Sequence, residues 1–134
     1  MWHLAFRDAG DIACPPDVPP GAELRRDDPG AARLAKKIFV QDSGVPVVVW
    51  GTDFQLAVWR ALLAIPTGTT SSYSRVAAAV GRPRAARAVG AACSANPVGY
   101  LIPCHRVVQK SGRAAGFRWG TDLKLAMLAW EKSR

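Results

Sequence analysis

Cysteine is scarce in this chain: Cys14, Cys93 and Cys104 are far apart and odd in number. That excludes a disulfide framework, and with no Cys-x-x-Cys pair it excludes the usual zinc signatures too. Such usage fits a reducing cytoplasm, where a nucleophilic thiol stays free. No apolar run approaches the roughly 20 residues of a membrane span. The N-terminus lacks the basic stretch and apolar core of a signal peptide. Repeats and low-complexity segments are also missing.

Acidic residues are scarce in one part only. Residues 1–50 hold six lysines and arginines against seven acids, whereas residues 51–134 hold twelve against three, Asp53, Asp122 and Glu131. The net charge of +8 therefore sits on the longer segment, and a polyanion is its expected partner. At 134 residues the chain suits one domain with a small appendage. The division expected is an N-terminal cap and linker over 1–50 and a functional domain over 51–134.

In the first segment, Met1 to Phe6 could form a short strand, and the prolines of Cys14-Pro15-Pro16 and Pro19-Pro20-Gly21 dictate extended loop. His3 is read as a surface or packing residue. Asp28-Pro29 opens a helix with Ala31, Leu34, Ala35 and Ile38 at helical spacing. Val45 to Trp50 is β-branched and apolar, a strand or an extended linker. From Thr52 the pattern sharpens. Thr52 and Gln55 make a capping box for a helix with Phe54, Val58, Ala61, Leu62 and Ile65 on one face, ended by Pro66-Thr67-Gly68. After a short extended piece over Thr69 to Ser71, Ser72 or Ser71 caps a second helix through Val80, closed by Gly81. Pro83 is expected to start a third, to about Ser94. Two short helices joined by Gly81-Arg82 have the outline of a helix-turn-helix. Ser111-Gly112 marks a turn and Gly116 to Gly120 a loop. Thr121 is expected to cap a last helix with Leu123, Ala126, Met127 and Trp130 towards the core.

One stretch gathers the reactive chemistry: Asn96-Pro97-Val98-Gly99-Tyr100-Leu101-Ile102-Pro103-Cys104-His105-Arg106-Val107-Val108. A thiolate is the reactive form of cysteine, and nearby cations favour it. A histidine can take the thiol proton. Pro97 and Pro103 restrict the backbone that carries Cys104. Cys93 is read as a small core residue.

Pro103-Cys104-His105-Arg106-Val107 resembles the active-site signature of the O6-alkylguanine-DNA alkyltransferases. The likeness extends through Ser72-Tyr73, Ala85-Ala86-Arg87-Ala88-Val89-Gly90, Asn96-Pro97, Gly116-Phe117-Arg118-Trp119-Gly120 and Leu128-Ala129-Trp130-Glu131, in the family's order over roughly Gly51 to Glu131. The Phe-Arg-Trp-Gly segment looks most like the bacterial adaptive-response branch. The fold implied is α/β but mostly α: a helix-turn-helix, winged-helix-like DNA-binding domain carrying the cysteine, behind an N-terminal region shorter than is usual in the family.

The resemblance implies single-use transfer of an alkyl group from O6-alkylguanine, or O4-alkylthymine, in duplex DNA to Cys104, with no cofactor or metal. His105 would take the thiol proton through a water, Glu131 would orient His105, and Asn96 would brace the turn. Tyr73 would assist extrusion of the base, and Arg87 would fill the vacated stack. Arg75, Arg82 and Arg84 are expected on phosphates, with Ala85 and Ala86 on a small-residue helix face. The base pocket would comprise Val107, Gly116, Phe117, Arg118 and Trp119, with the backbone of Cys104 and Val107 on the guanine edge. Phe117 replaces a tyrosine of many relatives, and bulky Arg118 and Trp119 argue for slower transfer of benzyl than of methyl. The implied approach is through the minor groove, about 6 Å wide, so the duplex must open and bend. Binding should then depend on salt and little on sequence. A monomer is expected, cytoplasmic and at the nucleoid when DNA-bound. The alternative is a non-enzymatic module that binds alkylated bases or regulates transcription; retention of Cys104, His105, Asn96 and Glu131 favours chemistry. Cysteine-dependent hydrolysis lacks a fitting spacing or oxyanion arrangement.

Overall fold

Thr52 opens the main body as its side chain and that of Gln55 exchange hydrogen bonds with each other's backbone N–H, at 3.2 and 3.0 Å. The reciprocal cap starts helix α2, Asp53–Leu63, after helix α1, Asp28–Phe39, whose N-cap is Asp27. In this computed structural model the described residues are 1, 4, 20, 21, 23, 25–41, 44–114 and 116–134. The expected strand over 1–6 apart from Met1 and Leu4, the Cys14 loop apart from Pro20 and Gly21, and His3 lie outside them. No helix among the described residues is long and apolar enough to cross a membrane.

Strand β1, Ser71–Ser72, leads into α3, Tyr73–Ala79, with the Ser72 side chain accepting from Arg75 N–H. Helix α4 spans Ala86–Ser94, a 3-10 turn spans Cys104–Arg106, and strand β2, Val107–Val108, pairs in parallel with β1. That pairing sets Ser71 opposite Val107 and Ser72 opposite Val108, which ties the start of α3 to the cysteine turn. Helix α5, Thr121–Lys132, completes the elements among the described residues.

The core is built from Val58, Trp59 and Leu62 of α2, Val76 and Ala77 of α3, and Val89, Ala92 and Cys93 of α4. Val98, Ile102, Cys104 and Val107 join them. Trp59, absent from the expected apolar face of α2, is buried, and its Nε1–H donates to Ala92 O at 2.9 Å, locking α2 to α4. Cys93 is a core residue as expected.

Three expectations are corrected. Helix α4 begins at Ala86 rather than Pro83, because Ala85 N–H bonds Arg82 O at 2.9 Å and places Pro83 second in a tight turn, where its fixed φ suits it. Thr121 does not cap α5. Gly120 holds the N-cap position at φ 95° and ψ 151°, a conformation open to glycine, and Thr121 is already helical. The buried residues of α5 are Lys124, Met127 and Glu131, while Ala126 and Trp130 stay exposed.

From the N-terminal segment, Leu4 bridges Val98: its N–H donates to Pro97 O at 2.9 Å, and Gly99 N–H donates to Leu4 O at 2.8 Å. Val45 to Trp50 runs as an extended linker, held to Met1 by Val48 N–H. Met1, Leu4, Val47 and Val49 pack on the core of the main body.

Candidate active site

The segment after α4 turns around Asn96, which is fully buried. Its Oδ1 accepts from Val98 N–H at 3.0 Å, and its Nδ2 donates to Ile102 O at 2.9 Å and to Cys104 Sγ at 3.2 Å. One amide thus closes the turn and touches the sulfur. The Asn96 brace expected from the sequence acquires a second contact, on the thiol itself.

His105 follows in the 3-10 turn with none of its surface exposed. Nε2 lies 2.8 Å from Glu131 Oε1. Arg106 Nε and Nη2 also reach Glu131, at 3.0 and 2.8 Å, and Gly68 N–H reaches it at 3.2 Å. Burial works to raise the Glu131 pKa, but the bonds from Arg106, His105 and Gly68 outweigh it and hold the group below its ordinary value. An ionised Glu131 accepts a hydrogen bond from Nε2–H, so in the neutral ring Nδ1 is left as the unprotonated nitrogen. Nδ1 is buried and has no hydrogen-bond partner among the described residues. That is the tautomer a base for the neighbouring thiol requires.

Burial pushes the Cys104 thiol up, against the opposing effects of Asn96 and Lys124. Lys124 is fully buried, and its Nζ donates to Val107 O at 2.6 Å. The cation favouring the thiolate is therefore Lys124, not the adjacent Arg106, whose guanidinium also bonds Ile65 O at 2.6 Å and Thr67 Oγ1 at 3.0 Å. Burial drives the His105 pKa below its ordinary 6.5, although Glu131 pulls it upward. A lowered folded pKa means that the unfolded chain binds the proton first. Stability contributed by neutral His105 should thus be complete above pH ~6.5 and fall as pH drops below it. Glu131, also depressed, adds loss below pH ~4.5. Urea midpoints measured from pH 7.5 to 4 should show the decline, and His105→Gln should flatten its upper part.

The residues expected around the base gather beside this group. Lys124 Nζ lies 5.9 Å from the Tyr73 ring centroid and 5.8 Å from that of Phe117. Gly116, at φ 77°, faces the Tyr73 hydroxyl, which is 3.6 Å from where a Cβ would stand. Burial pushes the Tyr73 pKa up to about 12, so the phenol keeps its proton. Trp119 packs edge-on to Phe117 and lies against Gly99, where a Cβ would meet the indole at 2.8 Å. Arg118 is exposed, its guanidinium 5.8 Å from the Trp119 centroid. Val107 O accepts from Lys124 Nζ and Cys104 O from Val107 N–H.

Arg75, Arg82, Arg84 and Arg87 are all exposed, on α3, the Gly81–Ala85 turn and the first turn of α4. Among the described residues none of the four forms an ion pair. Ala85 and Ala86 sit half-buried beside them, at a helix start with no side-chain cap. Lys124 and the anchoring part of Arg106 escaped the sequence reading. A lysine at i − 7 from Glu131, on the same helical face, was the available signal.

Comparison with known proteins identifies the family. The chain is 46% identical over 119 residues to the inducible methylated-DNA–protein-cysteine methyltransferase of Bacillus subtilis, covering 84% of this chain and 66% of that protein. It is 48% identical over 87 residues to the bifunctional transcriptional activator/DNA repair enzyme Ada of Escherichia coli, covering 65% of this chain and 25% of the relative. The chain thus spans less than two thirds of the length of these relatives. The crystal structure of Mycobacterium tuberculosis OGT in complex with DNA superposes with a TM-score of 0.71 at 44% identity, over 78% of this chain and 67% of that one. The family model of the 6-O-methylguanine DNA methyltransferase DNA-binding domain matches residues 53–133, and the chain belongs to that family.

Proposed function

We propose that the protein repairs DNA by moving the alkyl group of O6-alkylguanine onto Cys104, once per molecule. The buried, unpartnered Nδ1 of His105, with Nε2 on Glu131, is the observation that carries this reading. A thiol whose pKa is raised by burial is a poor nucleophile until something takes its proton, and a fixed neutral imidazole beside it is suited to do so. His105 accepts the thiol proton through a water, and the sulfur lone pair attacks the alkyl carbon in line. The carbon–O6 bond breaks and its electron pair stays on the guanine; the one proton that left Cys104 for His105 is balanced by one taken up by the guanine, through solvent, to give the normal base. The product is a thioether with no easy leaving group, hence the single turnover. No cofactor enters this scheme.

Reaching O6 requires the base to leave the stack, which costs a few kcal/mol and less for a damaged, poorly paired base. Arg87, exposed at the start of α4, fills the gap with its planar guanidinium, and Tyr73 donates to the departing base. Arg75, Arg82 and Arg84 neutralise phosphates, while Ala85 and Ala86 let the helix approach the opened minor groove. Val107, Gly116, Phe117, Arg118 and Trp119 shape the pocket, and a crowded Phe117–Trp119 pair supports the expected preference for methyl over benzyl. Residues 51–134 carry both binding and chemistry. The relative solved with DNA supports DNA as the partner.

Intact mass after mixing with a duplex containing O6-methylguanine is the direct test. Wild type should gain one methyl group and stop there, and Cys104→Ala should gain none while still binding the duplex. Tight binding by wild type with no mass change would leave a lesion-binding module instead.

A further inference from the structure

Tyr100 is the one non-glycine residue at positive φ among the described residues, at 66°. Side chains with a Cβ avoid this region, and tyrosine gains none of the local bonding that lets asparagine enter it. Leu101 N–H bonds Gly99 O across it at 2.8 Å, so Tyr100 is the middle of a γ-turn of the rare, strained hand. The chain is fastened on both sides. Leu4 clamps Pro97 and Gly99, Asn96 holds Val98 and Ile102, and Ile102 N–H reaches back to Val98 O at 3.1 Å.

This strain sets the tyrosine ring parallel to the His105 imidazole, with 4° between planes and 5.7 Å between centroids. The ring is held from its other sides by Phe39 of α1 at 4.9 Å and Trp130 of α5 at 5.8 Å. Glu131 fixes the imidazole only through Nε2, and a single hydrogen bond leaves a ring free to rock about that axis. A parallel ring on its face removes this freedom. Backbone strain that persists beside a reactive group is most simply explained by what it positions.

We propose that Tyr100 is a positioning residue for His105: its ring, aimed by the strained turn, keeps the imidazole plane fixed so that Nε2 stays on Glu131 and Nδ1 keeps one direction. The proposal deepens the transfer reading and rests on it for the rate, but not for the state of the imidazole. Phe39 and Trp130 brace the tyrosine, so α1 supports the site without touching it.

Two readouts test this on the full chain. Long-range proton–nitrogen correlation reports which His105 nitrogen bears the proton, and single-turnover methyl transfer at saturating duplex reports the chemistry. Tyr100→Phe should keep a single Nε2-protonated tautomer and a rate close to wild type. Tyr100→Gly accepts the positive φ without strain but lacks the ring that packs on Phe39, Trp130 and His105, so its folding midpoint should fall, and both readouts are taken well below that midpoint with its fold checked by duplex binding. It should show averaged ring-nitrogen shifts and a rate lower by about tenfold, with duplex affinity unchanged. A wild-type tautomer and rate in Tyr100→Gly would overturn the proposal, as would a Tyr100→Phe as slow as the glycine variant. Should wild type itself gain no methyl, the transfer reading fails, and the ring-nitrogen shifts alone decide the role of Tyr100.

Discussion

Glu131→Ala should lower folding stability by about 3–5 kcal/mol, the range for removing one partner of a buried ion pair. That corresponds to a melting temperature lower by roughly 10–20 °C for a domain of this size. Glu131 is 3% exposed and gathers His105, Arg106 and the Gly68 N–H, so its loss strands a guanidinium and breaks the tie between α5 and the Pro66–Gly68 turn. Transfer should fall further than stability explains, by about hundredfold or more, because nothing then holds the proton on Nε2. Glu131→Gln separates the two effects. It keeps the shape and one acceptor oxygen but not the charge that balances Arg106 and prefers the Nε2-protonated imidazole. Its stability should lie between the other two proteins, with the rate near that of the alanine variant. Urea unfolding at pH 7 with single-turnover transfer measures both. A loss under about 1 kcal/mol for Glu131→Ala would mean that Arg106 finds water instead, and that the buried hub is not what holds α5 in place.

What the sequence made legible was local or carried by motif. The Thr52–Gln55 box, the Ser72 cap and the turn glycines at 81 and 112 each act within a few residues, and each lies where expected. The failures share one cause. Periodicity sorts residues by polarity, so it put Leu123, Ala126, Met127 and Trp130 of α5 inwards, yet Lys124 and Glu131 are buried with Met127. Those two polar side chains can be buried because Val107 O, His105 and Arg106 meet them, and these partners come from another stretch of the chain. The same holds for the cation beside the thiol. Adjacency in sequence favoured Arg106, but the 3-10 turn sends its guanidinium to Glu131 and leaves that position to Lys124. Pro83 and Thr121 were misplaced by about a turn or less, because a β-turn and a positive-φ glycine took the roles assigned to them. The cysteine, its histidine and the acid were identified through the family motif; burial of all three at one point needed the fold.

Asn96→Ala is the substitution that should couple the turn and the nucleophile most directly. Removing the amide leaves Val98 N–H without its acceptor, at a cost of about 1–3 kcal/mol, and takes from Ile102 O one of its two donors while Cys104 N–H stays on it at 2.8 Å, so a total of about 1–4 kcal/mol is expected. The thiolate also loses a donor. A hydrogen bond to a charged group contributes about 1.5–3 kcal/mol, or roughly one to two pKa units. Transfer at pH 7 should accordingly drop by about tenfold to a hundredfold, and the rate should rise with pH to a higher midpoint than in wild type. Asn96→Asp makes the sharper case. The carboxylate can still accept from Val98 N–H, so part of the turn survives. Its second oxygen, however, would face Ile102 O and Cys104 Sγ, both acceptors, and its charge would repel a thiolate. If Asn96 only braces the backbone, the aspartate variant should be the more stable and the faster of the two. With Nδ2 stabilising the sulfur anion, as the 3.2 Å contact implies, the aspartate should be slower than the alanine even where it folds better. Rate against pH for the two variants, with their unfolding midpoints, separates these outcomes, because the brace acts on folding and the donor acts on the charge of Cys104.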